Sequence, residues 1–330
     1  MGVGDKITAV RFNNIRKKVA AVMGAGGQNP DTGSNDDAFG YGQTLTSVDV
    51  DQFAKVTLTD VHNLRTDLVK MRQHQTGQTW SSLPISNSEY LAIFSKDSKV
   101  TETDVVKYET AATNGVTNRF AIGSTPNQQF FIESRLSFPQ GGIISQRTAE
   151  WTTSVKHEVF VDFVSYAQAR YFFNSGGEII FTPTLNNGNG NSKYLAWRNL
   201  LNVVVKELRF GYNYITSTGT AGTVAKGFYQ LTVTNQELFK KSSSPSYTEN
   251  SYTINGKFAD STKKTLVFEI IFDDAHLART EQRTDGITIF DITNPDEPVT
   301  GTLISEVTQR RPSGDNVNVV GPAYRNGITL

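Results

Sequence analysis

An internal repeat constrains this chain more than any other feature of its sequence. At an offset of 49 residues Lys6 falls on Lys55, Ile7 on Val56, Thr8 on Thr57, Phe12 on Val61, Asn14 on Asn63, Ile15 on Leu64, Arg16 on Arg65, Val19 on Leu68 and Val22 on Met71. Phe12, Ile15, Val19 and Val22 are spaced three, four and three apart, as are Val61, Leu64, Leu68 and Met71. That spacing sets an apolar stripe along one face of a helix in each copy. Thr8 and either Thr57 or Thr59 are the expected N-caps, and Gly24 and Gly77 fall where a helix stops. The repeats cover about 6–24 and 55–77, within an N-terminal region of 1–79.

Between the copies, Ala25 to Asp51 is rich in Gly, Asn and Asp and reads as a long loop. A loop of that length in a compact structure is functional, disordered or packed on a partner. A pair of helices with thin apolar stripes buries little surface by itself, so the duplicated module is expected to dock on the rest of the protein or on a neighbouring subunit.

From about Trp80 the pattern changes to alternating β-branched and aromatic segments separated by turn residues: Gln129 to Leu136, Val155 to Val164, Glu178 to Pro183, Gly227 to Thr234, Ser251 to Phe258, Lys264 to Asp273, Gly286 to Asp291 and Gly301 to Val307. Such a series predicts an α+β, mainly β chain with an antiparallel β-sandwich-like body over 80–309. Two helices interrupt it, Ser165 to Asn174 and Tyr194 to Leu208, although Val203 to Val205 could instead open a strand. Residues 310–330, with Pro312, Gly314, Gly321, Pro322 and Gly327, read as an extended C-terminal arm.

Composition removes several kinds of chemistry. With no cysteine among 330 residues, disulfides, thiolate metal sites and Cys nucleophiles are excluded. Lys plus Arg and Asp plus Glu both number 32, which leaves no cationic surplus to attract nucleic acid or an anionic membrane. The opening MGVGDKITAV lacks a signal-peptide core, and no apolar run approaches the length of a membrane span.

The remaining candidates for chemistry are weak. His62, His74, His157 and His276 include no pair at the spacing of a zinc helix. Asp273, Asp274 and His276 form the best metal or acid/base grouping, yet adjacent carboxylates at a strand end more often make a turn. Asp31, Asn35, Asp36 and Asp37 could offer oxygens to Ca²⁺ but lack the ordered spacing of an EF-hand loop. Gly24 to Gly27 is not followed by Lys-Ser or Lys-Thr, and no GxSxG occurs. Trp80, Trp151 and Trp197 could bind carbohydrate, although core packing is the commoner fate of tryptophan. Five cations, Lys6, Arg11, Arg16, Lys17 and Lys18, stand against the single Asp5 in residues 1–30 and suggest a solvated or partner-facing helix surface. No catalytic residue, cofactor or metal is expected.

Several motifs carry a resemblance. They are YGQ at Tyr41 to Gln43, Asn63-Leu64-Arg65, HQTG at His74 to Gly77, ARYFFNSGGEI at Ala169 to Ile179, WRNLL at Trp197 to Leu201, GFYQLT at Gly227 to Thr232, IIFDDAH at Ile270 to His276, then DGITIF, GTLIS and NVNVVGPAY at Asn316 to Tyr324. On these the chain resembles a family of virion structural proteins of tailed bacteriophages, the cyanophage-like tail, neck or fibre-associated proteins. The resemblance implies a non-enzymatic protein, made in the host cytoplasm and carried in the virion, that assembles with other copies of itself and with other virion proteins. Phe12, Ile15, Val19, Val61, Leu64 and Leu68 at one end and Val317, Val319, Pro322 and Tyr324 at the other are the expected assembly contacts. Neither nucleic acid nor membrane is an expected partner. The alternative is a receptor- or glycan-binding module of a tail fibre or appendage, with a host surface glycan or receptor as partner. Coiled-coil heptads and collagen-like repeats are missing from the sequence, which speaks against a long fibre shaft.

Overall fold

A computed structural model describes residues 7–78, 101–122, 130–132, 142–244, 247–277, 279–284, 289–294 and 296–330. Asp5, Lys6 and Trp80 lie outside these residues, as do parts of the expected strands at Gln129 to Leu136 and Gly286 to Asp291. The chain is α+β and mainly β, with antiparallel sheets. It divides into two compact units, one made of Met1–Phe131, Ala167–Gly177 and Arg311–Val320, the other of Ile132–Tyr166, Glu178–Arg310 and Gly321–Leu330.

The first unit is helical. Its helices are α1 (Ala9–Met23), α2 (Leu58–Thr76), α3 (Glu102–Thr117) and α4 (Tyr166–Asn174). Both repeat copies form the expected helices, with Thr8 accepting from the Arg11 amide and Thr57 closing a capping box with Asp60. Gly77 ends α2 in the left-handed conformation at φ 65°, where a side chain would be strained.

The helix α3 occupies a stretch expected to belong to the β body, and it changes the meaning of the two stripes. It packs on both α1 and α2. Val105, Tyr108, Ala111 and Ala112 are buried there, and Gly115 lies so close to Met71 that a Cβ would come within 2.0 Å of its terminal methyl. Arg11 joins α1 to α3 through Glu102 and Glu109, each at 2.6 Å. The loop after α1 is no free linker. It forms a short hairpin, β1 (Gly27–Gln28) with β2 (Asn35–Asp36), and then buries Phe39 and Tyr41. The Tyr41 hydroxyl donates to the Arg119 carbonyl at 2.5 Å and accepts from Gln75. Arg170 on α4 binds Asp37 and the Ala25 carbonyl, each at 2.9 Å, while Asn174 donates to the carbonyls of Asp37 and Gly40.

The second unit is a sandwich of two sheets. One has the order β10 (Gln236–Ser242), β11 (Ser251–Phe258), β12 (Thr265–Asp273), β5 (Val155–Asp162), β16 (Ala323–Asn326). The other runs β3 (Phe130–Ile132), β15 (Thr302–Pro312), β6 (Glu178–Asn186), β7 (Leu208–Phe210), β8 (Ile215–Ser217), β9 (Thr223–Val224), and β4 (Ile143–Arg147) also pairs with β15. A separate hairpin joins β13 (Arg279–Thr284) to β14 (Ile289–Asn294).

Alternation along β12 places Phe268, Ile270 and Phe272 on one buried face. The Phe268 ring meets Phe181 of β6 at 5.0 Å and Phe210 of β7 at 5.2 Å, both edge to face, which is where the two sheets interlock. At one end Trp151 lies 5.6 Å from Trp197 and 6.1 Å from Phe272.

Several expectations need correction here. The helix expected at Tyr194 to Leu208 ends early: α5 (Ser192–Asn199) passes into a π-helical turn at Leu200–Val205. That turn lets the Asn202 amide reach β6, where it bonds both the N–H and the C=O of Leu185 in place of a strand. Gly227 to Thr234 is not a strand, because Phe228–Gln230 turns as a 3₁₀ segment with Phe228 buried. The arm does not hang free: β15 continues to Pro312, Ser313 bridges Asn318, and β16 pairs with β5.

Truncating Phe268 to Ala removes the residue that touches both β6 and β7. A loss of about 3–5 kcal/mol in the unfolding free energy of the sheet unit is expected from denaturant titration. The exposed Val203→Ala should stay within about 0.5 kcal/mol.

Candidate functional site

Most grouped polar side chains in the described residues turn out to be internal clasps. Lys193, at the start of α5, is wholly buried, and its ammonium donates to Asp274 at 2.8 Å, to Asp296 and to the His276 carbonyl. Burial pushes the Asp274 carboxyl above its ordinary range, while Lys193 pulls it back. The ammonium is held by two carboxylates and a carbonyl, so it is not a free nucleophile.

This resolves the Asp273, Asp274 and His276 grouping. Asp274 faces Lys193, Asp273 ends β12 opposite Ser251, and the His276 ring packs on Tyr247 at 4.8 Å. The three do not converge on one point. Lys193 gave no signal in the sequence, since a lysine at the first turn of a helix is ordinarily solvated.

A second row has the look of hydrolytic machinery without its access. His157 on β5 bonds Ser305 Oγ through Nδ1 at 2.9 Å and Asn326 Oδ1 through Nε2 at 2.8 Å. Ser305 is only 2 % exposed, between the sheets, and burial holds His157 below its usual range. A nucleophile must meet substrate, so this serine, histidine and asparagine fasten β5 to β15 and β16 instead.

The acidic loop residues diverge in the same way. Asp31 pairs with Lys18 at 3.0 Å, Asp36 accepts from the Ala38 amide, and Asp37 binds Arg170. Among the described residues no group of three or more His, Asp or Glu could hold a metal ion, and no helix is long and apolar enough to cross a membrane. Trp151 and Trp197 are core residues.

The residues expected to contact neighbours are mostly inside the chain. Phe12, Ile15, Val19, Val61, Leu64 and Leu68 are buried because α3, which the sequence reading placed in the β body, covers their stripes. Val317, Val319 and Pro322 are buried too, and Tyr324 is half-buried with its hydroxyl on the Thr308 carbonyl. These side chains build the fold of the single chain.

What the first unit offers outward is different. The segment after the hairpin is pinned to the helices: buried Asp67 accepts from Thr46 N at 2.9 Å, Ser47 N at 2.8 Å and Ser47 Oγ at 2.6 Å. Arg16 donates to the Ser47 carbonyl and pairs with Asp49. The Asn13 amide then exchanges two hydrogen bonds with the backbone of Val50, and the turn closes from Ala54 N to Asp51 O at 2.8 Å. At the tip of this fastened turn Phe53 is 97 % exposed.

Beside the same segment runs an open groove of about 480 Å³, lined by Arg16, Lys17, Ala20 and Ala21 of α1, by Gly24, Ala25, Gly26, Gln28 and Pro30, and by Gln43, Leu45, Ser47 and Val48. No protein-family model, curated protein or solved structure matches the chain.

Two predictions follow from the buried groups. Lys193→Met strands two carboxylates and should cost about 3–5 kcal/mol in chemical unfolding, most of it recovered when Asp274 and Asp296 are also changed to Asn. Burial lowers the His74 imidazole from 6.5 to about 4, against a hydrogen bond to the Ser175 carbonyl. The native state therefore favours neutral His74. Its contribution is complete above pH 6.5 and is lost as the pH falls towards 4. Thermal melts across that range should show an acid limb that His74→Gln flattens; an unchanged limb would assign it to other groups.

Proposed function

We propose that this chain is a structural component of a tailed-phage virion, assembling by symmetric protein–protein contacts in the tail, neck or an appendage attachment region. The observation that carries the reading is Phe53: an aromatic side chain almost wholly in solvent, on the Asp51–Ala54 turn that follows a segment tied to the helices by Asn13, Arg16 and Asp67. Leaving a large apolar ring in water brings no stability to a lone chain, whereas an exposed aromatic side chain is an efficient anchor for a partner. The motifs on which the sequence resembles virion structural proteins support the same reading. So does the absorption of Lys193, Asp274, His157 and Ser305 into internal clasps, which leaves these groups a structural use.

The receptor- or glycan-binding alternative calls for aromatic faces lining a groove. Trp151 and Trp197 supply none, since both are buried.

Quantitative mass spectrometry of purified particles, made from the genome that encodes this chain, tests the proposal. A fixed number of copies per particle is expected, and abundance in infected cells with none in particles would overturn it. Phe53→Ala should lower incorporation roughly tenfold, the equivalent of about 1.4 kcal/mol. Its effect on the unfolding free energy should stay within about 0.5 kcal/mol.

A further inference from the structure

The groove and the knob of the helical unit are different surfaces of one body. Phe53 lies three residues past Val50, which is fixed to Asn13 near the start of α1. The groove floor lies further along the same helix, at Ala20, Ala21 and Gly24. The groove starts at Arg16 and Lys17, three and four residues past Asn13, about 5 Å along the helix at the usual rise, and Phe53 is not among its lining residues. The chain's own Phe53 stands in solvent and leaves its own groove open.

The groove offers apolar surface to an insert: Ala20, Ala21, Leu45 and Val48 line it beside the polar Arg16, Lys17, Gln28 and Gln43, and Val48 is itself 60 % exposed. Its walls do not compete for backbone bonds. The last carbonyls of α1, from Val22, Met23 and Gly24, are already taken by the amides of Tyr41, Gln43 and Gly42. Both surfaces carry charges of either sign: Asp51 and Lys55 flank Phe53, while Lys17 and Arg16, the latter paired with Asp49, line the groove. Lys17, on the groove, is exposed and has no charged partner among the described residues, while the Asp51 carboxylate, two residues from Phe53, is likewise exposed and unpaired. Lys55 carries the other sign on the far side of Phe53, and Asp49, paired with Arg16 at the groove, leaves its carboxylate 65 % exposed.

We infer that Phe53 of one copy seats in the groove between α1 and the Gln43–Val48 segment of a second copy, with Asp51 against Lys17. Because knob and groove are distinct patches, the contact is head to tail. Each copy then presents one free knob and one free groove, and repetition gives a ring if the rotation closes or a filament if it does not. One aromatic anchor with a charged rim is a small interface, so association of the isolated chain is weak and strengthens when many copies are held together. The inference deepens the assembly reading by naming a partner, a second copy of this chain.

Sedimentation velocity of the purified full-length chain over a wide concentration range tests it without any particle. Concentration-dependent species larger than one chain are expected, with Phe53→Ala weakening association at least tenfold. Lys17→Glu and Asp51→Lys should each weaken it, and the double variant Lys17→Glu/Asp51→Lys should restore it. A chain that stays monomeric at its highest soluble concentration would overturn the inference. Association untouched by Phe53→Ala, or no recovery in the charge-swapped pair, would do the same. Particle incorporation without self-association would sink this contact alone. Self-association of a chain absent from particles would sink the virion reading alone.

Discussion

The Asp67 carboxylate is the constraint on which the outward face of the helical unit depends. It is buried on α2 and takes two amide hydrogens and one hydroxyl from Thr46 and Ser47. A buried carboxylate needs such donors to offset its lost hydration, so the loop is as necessary to Asp67 as Asp67 is to the loop. Ser47, which the carboxylate holds, lines the groove beside Leu45 and Val48, and the chain runs on from there through Val50, bound to Asn13, to the turn bearing Phe53. Without it, the knob would sit on a floppy tether and would have to be ordered at each encounter, at a cost in affinity.

How much of this was legible beforehand divides along physical lines. The stripes of α1 and α2, their threonine caps and the stop at Gly77 were readable because each rests on short-range spacing. The third helix was not, although Thr101 and Asp104 repeat the capping pattern of Thr57 and Asp60. Its buried face is made of Val, Tyr, two alanines and a glycine, too small to register as an apolar stripe, and close approach to Met71 is what makes small residues right there. Missing α3 left the stripes looking uncovered, whereas α3 packs on both helices.

In the sheet unit the strands with strong alternation, β5, β11 and β12, were plain from the sequence. Strands of two or three residues such as β7, β8 and β9 carry too little pattern to be seen, and the π-helical turn at Leu200–Val205 is imposed by the reach of Asn202 to β6. The Lys193 cluster was illegible because its partners lie 81 and 103 residues away. Exposure of Phe53 could not be read at all, since nothing local distinguishes a phenylalanine bound for the core from one left in water.

The central claim is that the pinned loop of the helical unit exists to present a contact to another subunit. Placing a photoreactive benzoyl-phenylalanine at position 53 and mapping its cross-links by mass spectrometry tests that most directly. The account predicts cross-links to the peptide spanning residues 18–28 of a second, isotopically distinct copy. Cross-links confined to the same chain, or to solvent alone at concentrations where the chain associates, would contradict it.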